Sequence, residues 1–182
     1  MERNLIRISK FLSLILRHKP ETIGLSLDEH GWAQVDELLL KANETGMAVD
    51  EELLRCVVEQ GDKKRFSFSK DGLKIRANYG HSIPIDLGLE PIEPPEFLFH
   101  GTATHFLQSI RGSGIVPKGR MYVHLSPDEQ SAFEIGRRHG EPIILTIQAR
   151  RMHGDGCQFF LSSSGIWLTE NVPPEYVIIP TD

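Results

Sequence analysis

The sequence predicts an α+β protein built as two lobes. Three observations carry that prediction. Residues 1–82 read as three helical stretches closed by an alternating hairpin, which is the outline of a winged helix. Residues 83–96 hold Pro84, Pro91, Pro94 and Pro95 with little periodic pattern, so they read as a semi-rigid linker. In residues 97–182 strand patterns outnumber helical ones, so a mixed α/β lobe is expected there.

The first helix is expected over residues 1–18, because Leu5, Ile8, Leu12 and Ile15, with Phe11 beside them, recur at helical spacing. Pro20 stops it, since a proline pushes the residue before it out of the helical region. Residues 32–35 form a short extended segment. Asp36 is then read as the cap of a second helix running through Lys41 and Ala42, with Val35 and Leu40 as a hydrophobic staple. Asp50 caps a third helix, residues 51–60, which Gly61 ends. Residues 65–69 alternate as a strand, Asp71-Gly72 signals a turn, and residues 73–76 return as its partner.

In the second lobe, residues 97–100 form a strand and residues 104–110 a helix that the Gly112-Ser113-Gly114 stretch closes. Residues 122–125 form the next strand. Ser126-Pro127-Asp128-Glu129 reads as a helix start with Ser126 as the cap, and that helix extends to Arg138. Further strands are expected at residues 142–148, 158–161, 166–168 and 176–179.

Composition narrows the function classes. Hydrophobic content of 40% with 25% charge is ordinary for a globular protein. No apolar run suits a membrane span, and the N-terminus lacks a signal-peptide pattern. Cys56 and Cys157 make no disulfide framework or metal-ligand spacing, and Cys56 lies in an apolar helical context. A reducing, cytoplasmic setting and a monomeric chain are therefore expected. Net charge is −5, which disfavours bulk adhesion to nucleic acid. Yet residues 63–76 contain Lys63, Lys64, Arg65, Lys70, Lys74 and Arg76 against Asp71 alone, so a focused phosphate contact is chemically open.

Two places offer chemistry. The first is Arg17-His18-Lys19-Pro20, at the end of the first helix. Cations there compensate the helix dipole, but an Arg fork beside a His also makes an anion site active at neutral pH. The second is a pair of similar strand ends, His100-Gly101-Thr102 and His124-Leu125-Ser126. These read either as satisfied histidines with capping hydroxyls or as a ligand site. There is no Rossmann or Walker glycine spacing, no zinc spacing and no acidic metal loop, so no metal is expected. Trp32 and Trp167 sit beside apolar strand residues and read as core.

Several stretches taken in order resemble the RNA 2′-phosphotransferase family. They are residues 9–13 and 16–20, Gly31-Trp32, residues 62–66, Ile75-Arg76-Ala77 with Gly80-His81-Ser82, residues 98–102 and 123–126, Arg138-His139-Gly140, and residues 165–169. The resemblance implies a winged-helix-like RNA lobe over residues 1–82 and an ADP-ribosyltransferase-like lobe over residues 97–182 that binds NAD. It implies that an internal RNA 2′-phosphate attacks the nicotinamide ribose of NAD and releases nicotinamide. The ribose 2″-hydroxyl then attacks phosphorus, releasing 2′-hydroxyl RNA and ADP-ribose 1″,2″-cyclic phosphate.

By the same resemblance Arg17, His18, Arg65 and Arg138 handle the phosphate, drawing on both halves of the chain. His100, Gly101, Thr102, His124, Leu125 and Ser126 surround NAD. Lys63 and Arg76 contact RNA, and an apolar Ile166 stands where related enzymes carry a Glu. The alternatives are an ADP-ribosyltransferase that stops after the first step and a non-enzymatic winged-helix protein.

Overall fold

The computed structural model describes residues 2–60 and 64–180. The chain divides into two compact units, Met1–Gly88 and Leu89–Asp182, each with its own apolar core.

In the first unit α1 (Glu2–Arg17) buries Ile8, Leu12, Ile15 and Leu16 completely. Each such side chain removed from water is worth roughly 1.5–3 kcal/mol. Leu5 and Phe11 flank that stripe half-buried. The helix closes by bringing the His18 and Lys19 amides onto the Leu14 carbonyl, at 3.0 and 2.9 Å. Pro20 then opens a 3₁₀ turn, Pro20–Ile23, which Gly24 ends at φ +64°.

β1 (Ala33–Gln34) runs straight into α2 (Val35–Glu44). Asp36 is therefore not the cap. Gln34 holds that position with no side-chain bond, and Asp36 lies in the first turn, where a carboxylate suits the helix dipole. The staple fails too, because Leu40 is 62% exposed. α3 (Glu51–Glu59) is capped by Asp50, whose carboxylate accepts from the Leu53 amide at 2.8 Å. Gly61, read as its terminator, lies outside the described residues, and Cys56 is half-buried.

β2 (Phe66–Phe68) and β3 (Lys74–Ala77) form the expected hairpin, with Phe66 opposite Ala77 and Phe68 opposite Ile75. β1 adds to the other edge of β3, giving an antiparallel sheet in the order β1-β3-β2.

The second unit holds two three-stranded antiparallel sheets. One is β4 (Leu98–Ala103), β6 (Pro142–Ile147) and β9 (Val177–Ile178), in the order β4-β6-β9. The other is β5 (Val123–Leu125), β7 (Phe160–Leu161) and β8 (Trp167–Thr169), in the order β5-β8-β7. A bridge between Phe99 and Ser126 ties β4 to the end of β5, with reciprocal amide bonds of 2.9 and 2.7 Å.

A 3₁₀ turn at Thr104–Phe106 precedes α4 (Leu107–Ser113), which begins later than the periodicity suggests. α5 (Glu129–Gly136) is capped by Asp128, not Ser126: the Asp128 carboxylate takes the Ser131 amide at 2.7 Å, while Ser126 is held in the bridge. That helix also stops before Arg138. α6 (Ala149–Gly154) was not foreseen.

Of residues 83–96, Ile85 is buried in the first unit and the Asp86 amide bonds to the Glu29 carbonyl at 2.9 Å. The Ile92 amide bonds to Phe159 in the second unit at 2.8 Å.

Candidate active site

The end of α1 delivers Arg17 and His18 to one spot in the first unit. The Arg17 guanidinium carbon lies 4.7 Å above the Tyr79 ring and 5.7 Å from that of Phe66, so two aromatic faces hold a cation whose charge they favour. Gly80, at φ +86°, brings bare backbone alongside it. A Cβ there would stand 3.4 Å from Arg17 Nη1. The Ser82 amide bonds to the Arg17 carbonyl at 2.9 Å, and Ser82 Oγ lies 2.9 Å from His18 Nδ1. The loop after β3 thus fixes both residues.

His81 belongs to the same loop and is only 3% exposed. Burial lowers its pKa to about 4, helped by the charges of Arg17, His18 and Arg76, so it is neutral at pH 7. Its Nε2 is buried without a hydrogen-bond partner, as is Nε of Arg76. Arg76 is half-buried, with its guanidinium 4.5 Å from the Trp32 ring, and burial lowers its pKa while Asp28 opposes the shift. Trp32 is itself half-buried, so it is no core residue; Trp167, at 9% exposed, is one. Arg17, His18, Arg76 and His81 form a cluster rich in positive charge, an arrangement that attracts an anion.

Arg65 stands at the start of β2, half-buried, where its carbonyl accepts the Asn78 amide at 2.9 Å. That ladder end leads directly into Tyr79 and Gly80. Lys63 lies outside the described residues.

In the second unit the Phe99–Ser126 bridge sets the two histidine strands side by side. His100 Nδ1 lies 3.1 Å from the His124 carbonyl oxygen, and since that oxygen only accepts, Nδ1 donates. Burial lowers the His100 pKa; the bond to His124 opposes this, and His139 and Arg120 add to it. Thr102 and Ser126 are buried at 6% and 3% exposure.

Two neighbours have plain packing duties. A Cβ on Gly101 would sit 1.6 Å from the Ala132 carbonyl oxygen of α5, so the glycine lets that helix lie on β4. The Leu125 side chain is in the core at 1% exposure. Arg138 follows α5 and is exposed. Ile166 is half-buried, its amide on Ser162 Oγ at 3.1 Å. Among the described residues no group of three or more His, Cys, Asp or Glu is disposed to hold a metal, and no helix is long and apolar enough to cross a membrane.

The residue types missed at first are therefore His81, Ser82 and Arg120. Gly80-His81-Ser82 already carried part of the resemblance, but no role followed from it. Arg120 gave no signal in the sequence.

Comparison with known proteins settles the class. Residues 3–171 match the model of the RNA 2′-phosphotransferase, Tpt1 / KptA family. A probable RNA 2′-phosphotransferase of Agrobacterium fabrum is 53% identical over 174 residues, 96% of this chain and 94% of that protein. Proteins of the same description from Acaryochloris marina and Rhodopirellula baltica are 51% and 48% identical. The first match covers 98% of both chains, the second 99% of this chain and 98% of its relative. This chain is thus a transferase. It belongs to the RNA 2′-phosphotransferase, Tpt1 / KptA family.

Proposed function

We propose that the protein transfers an internal RNA 2′-phosphate to NAD. The first unit serves as a winged-helix-like RNA lobe and the second as an ADP-ribosyltransferase-like NAD lobe. The observation that carries this reading is the gathering of Arg17, His18, Arg76 and a neutral, buried His81 around one loop. The order of three helices and a β1-β3-β2 sheet supports the winged outline. The bridged His100 and His124 strands, with His100 Nδ1 donating and two buried hydroxyls close by in sequence, suit a dinucleotide's ribose and amide groups. Gly101 has no side chain and Leu125 spends its own in the core, so both contribute through main chain alone.

The substrate supplies its own nucleophile, an ionised phosphate oxygen, so the protein needs no activated Ser or Cys. Its task is to hold two anions that repel each other in reacting geometry. Arg17, Arg65 and Arg138 grip the phosphoryl oxygens with paired donors that stay charged. A phosphate oxygen forms a bond to the anomeric carbon of the nicotinamide ribose as the bond to nicotinamide breaks. In the second step the ribose 2″-oxygen bonds to phosphorus and the bond to the RNA 2′-oxygen breaks. The three cations stabilise the charge spread over the equatorial oxygens. His18, oriented by Ser82, moves the proton of the 2″-hydroxyl toward the departing 2′-oxygen. Arg76 and Lys63 contact the RNA. The protein acts as a monomer in the cytoplasm, and RNA left with 2′-phosphates by splicing is a fitting substrate class.

Incubation of a short RNA bearing one internal 2′-phosphate with NAD tests this. Mass analysis should find 2′-hydroxyl RNA, nicotinamide and ADP-ribose cyclic phosphate in equal amounts. A persistent ADP-ribosylated RNA would refute the second step, and unchanged RNA would refute the whole reading.

A further inference from the structure

We propose that Arg3, Arg7 and Lys10 form a phosphate-binding row along α1, over which the RNA strand flanking the 2′-phosphate lies. The sequence sets the charge. From Arg3 to Lys19 the chain carries Arg3, Arg7, Lys10, Arg17 and Lys19 and no Asp or Glu, on a protein of net charge −5. The helix sets the direction. Residues three and four apart share a helical face, and Arg3, Arg7 and Lys10 follow one another at four and three. The same alternation continues through Leu14 to Arg17. Ile8, Leu12, Ile15 and Leu16 fill the opposite, buried face, while Arg3, Arg7 and Lys10 are exposed.

The row works against the helix that carries it. Arg3 and Arg7 stand in the first two turns, where the helix dipole disfavours a cation. Arg3 with Arg7, and Arg7 with Lys10, are like-charge neighbours that repel. In α2 and α3 such charges are neutralised, Lys41 by Glu37 and Arg55 by Glu51, each at 2.7 Å. Among the described residues no carboxylate pairs with Arg3, Arg7 or Lys10. A regular line of exposed, unneutralised cations leading to an anion site fits a polyanion whose charges also repeat, which a nucleic-acid strand supplies. At 1.5 Å per residue, Lys10 lies about 10 Å and Arg3 about 21 Å along the axis from Arg17. A strand rising ~3.4 Å per nucleotide covers that length in about six nucleotides. Contacts to phosphates add affinity without reading bases. The inference rests on the reading of the Arg17–His18 end as the 2′-phosphate site, and the experiment separates the two.

Binding to the full chain, without NAD, is measured for two RNAs with the same internal 2′-phosphate: a trinucleotide, and a form extended by about six nucleotides on each side. Fluorescence anisotropy between about 50 and about 200 mM salt gives affinity and salt slope. The wild type should bind the long RNA more tightly, and that gain should shrink as salt rises. The triple variant Arg3→Gln, Arg7→Gln, Lys10→Gln removes the charges with a good helix former. It should bind the long RNA roughly tenfold more weakly, with the slope reduced by about 2, at ~0.7 per phosphate. Its affinity for the trinucleotide should hold within about twofold, because the row lies a Debye length or more from Arg17. Arg111→Gln, Arg137→Gln, Arg150→Gln removes the same charge from exposed positions of the second unit and should leave both affinities as in the wild type. Equal losses in the two triple variants, or a long RNA held by the α1 variant as by the wild type, would overturn the row. A wild type that binds the trinucleotide no better than its 2′-hydroxyl form would refute the 2′-phosphate reading instead, with the row still decided by the long RNA.

Discussion

His81 makes acid stability a direct probe of the cationic loop. Its imidazole titrates near 4 in the folded protein against an ordinary value of 6.5. Above pH 6.5 it is neutral in both states and adds no pH dependence. As the pH falls, the unfolded chain takes up a proton that the folded site refuses, so stability drops across the window from about 6.5 to about 4 and then levels. The gap between 6.5 and about 4 corresponds to at most about 3.5 kcal/mol, of which about 3 kcal/mol is lost by pH 4, since each pH unit is worth ~1.4 kcal/mol. That is a sizeable part of the ~5–15 kcal/mol that holds a typical protein folded.

Other groups titrate in the same window, so the informative quantity is the difference between wild type and His81→Asn. Urea denaturation at half-unit steps from pH 7.5 to pH 4 would measure it. The wild type should be the more stable at neutral pH, and that advantage should shrink by about 3 kcal/mol toward pH 4. Inorganic phosphate should lessen the wild-type loss, because an anion beside Arg17 and His18 offsets the charge that excludes the proton. A difference flat within about 0.5 kcal/mol from pH 7 to pH 5 would show that the loop neither buries nor electrostatically crowds His81.

Three further outcomes are expected. Gly101→Ala, whose methyl would meet the Ala132 carbonyl oxygen at 1.6 Å, should cost ~3 kcal/mol or more, whereas Gly112→Ala, with nothing within 4 Å, should stabilise α4 by ~0.5–1 kcal/mol; equal melting temperatures would contradict the packing described. Arg65→Ala should accumulate ADP-ribosylated RNA, with the second step slowed ~10²–10³-fold; loss of the first step with the second intact would reverse its assignment. Asp128→Ala should cost ~1 kcal/mol, or ~2–4 °C in melting temperature, and no change would place the cap of α5 elsewhere.

Local chemistry was readable where one residue decides the outcome. Asp50 announces α3 because its carboxylate bonds an amide three residues on, a contact internal to the segment. The Asp71-Gly72 turn is of the same kind. The failures occur where a tertiary partner decides. Asp36 was displaced as a cap because the Val35 amide finds the Leu73 carbonyl at 2.9 Å, which lets the helix start directly from β1. Ser126 was displaced because its backbone is taken by Phe99. α6 spans only six residues directly after β6, too few for periodicity to register.

The candidate site divides in the same way. Arg17, His18, His100 and His124 stand out as side chains at element ends. His81 and Arg120 acquire meaning only from neighbours brought to them by folding: burial beside Arg17, His18 and Arg76 for one, and the His124 ring nitrogen at 3.2 Å for the other.

The contact of α5 with β4 constrains how this protein can diverge. Two methyl-free positions, Gly101 and Gly136, let main chain touch main chain there, and a Cβ at Gly136 would itself come 2.8 Å from the Thr102 oxygen. The spacing between the His100 strand and the segment leading to Arg138 is set by atoms every sequence shares, with no side chain as an adjustable shim. Homologues can tune the walls of this unit by substitution, but altering that separation requires rebuilding the backbone itself.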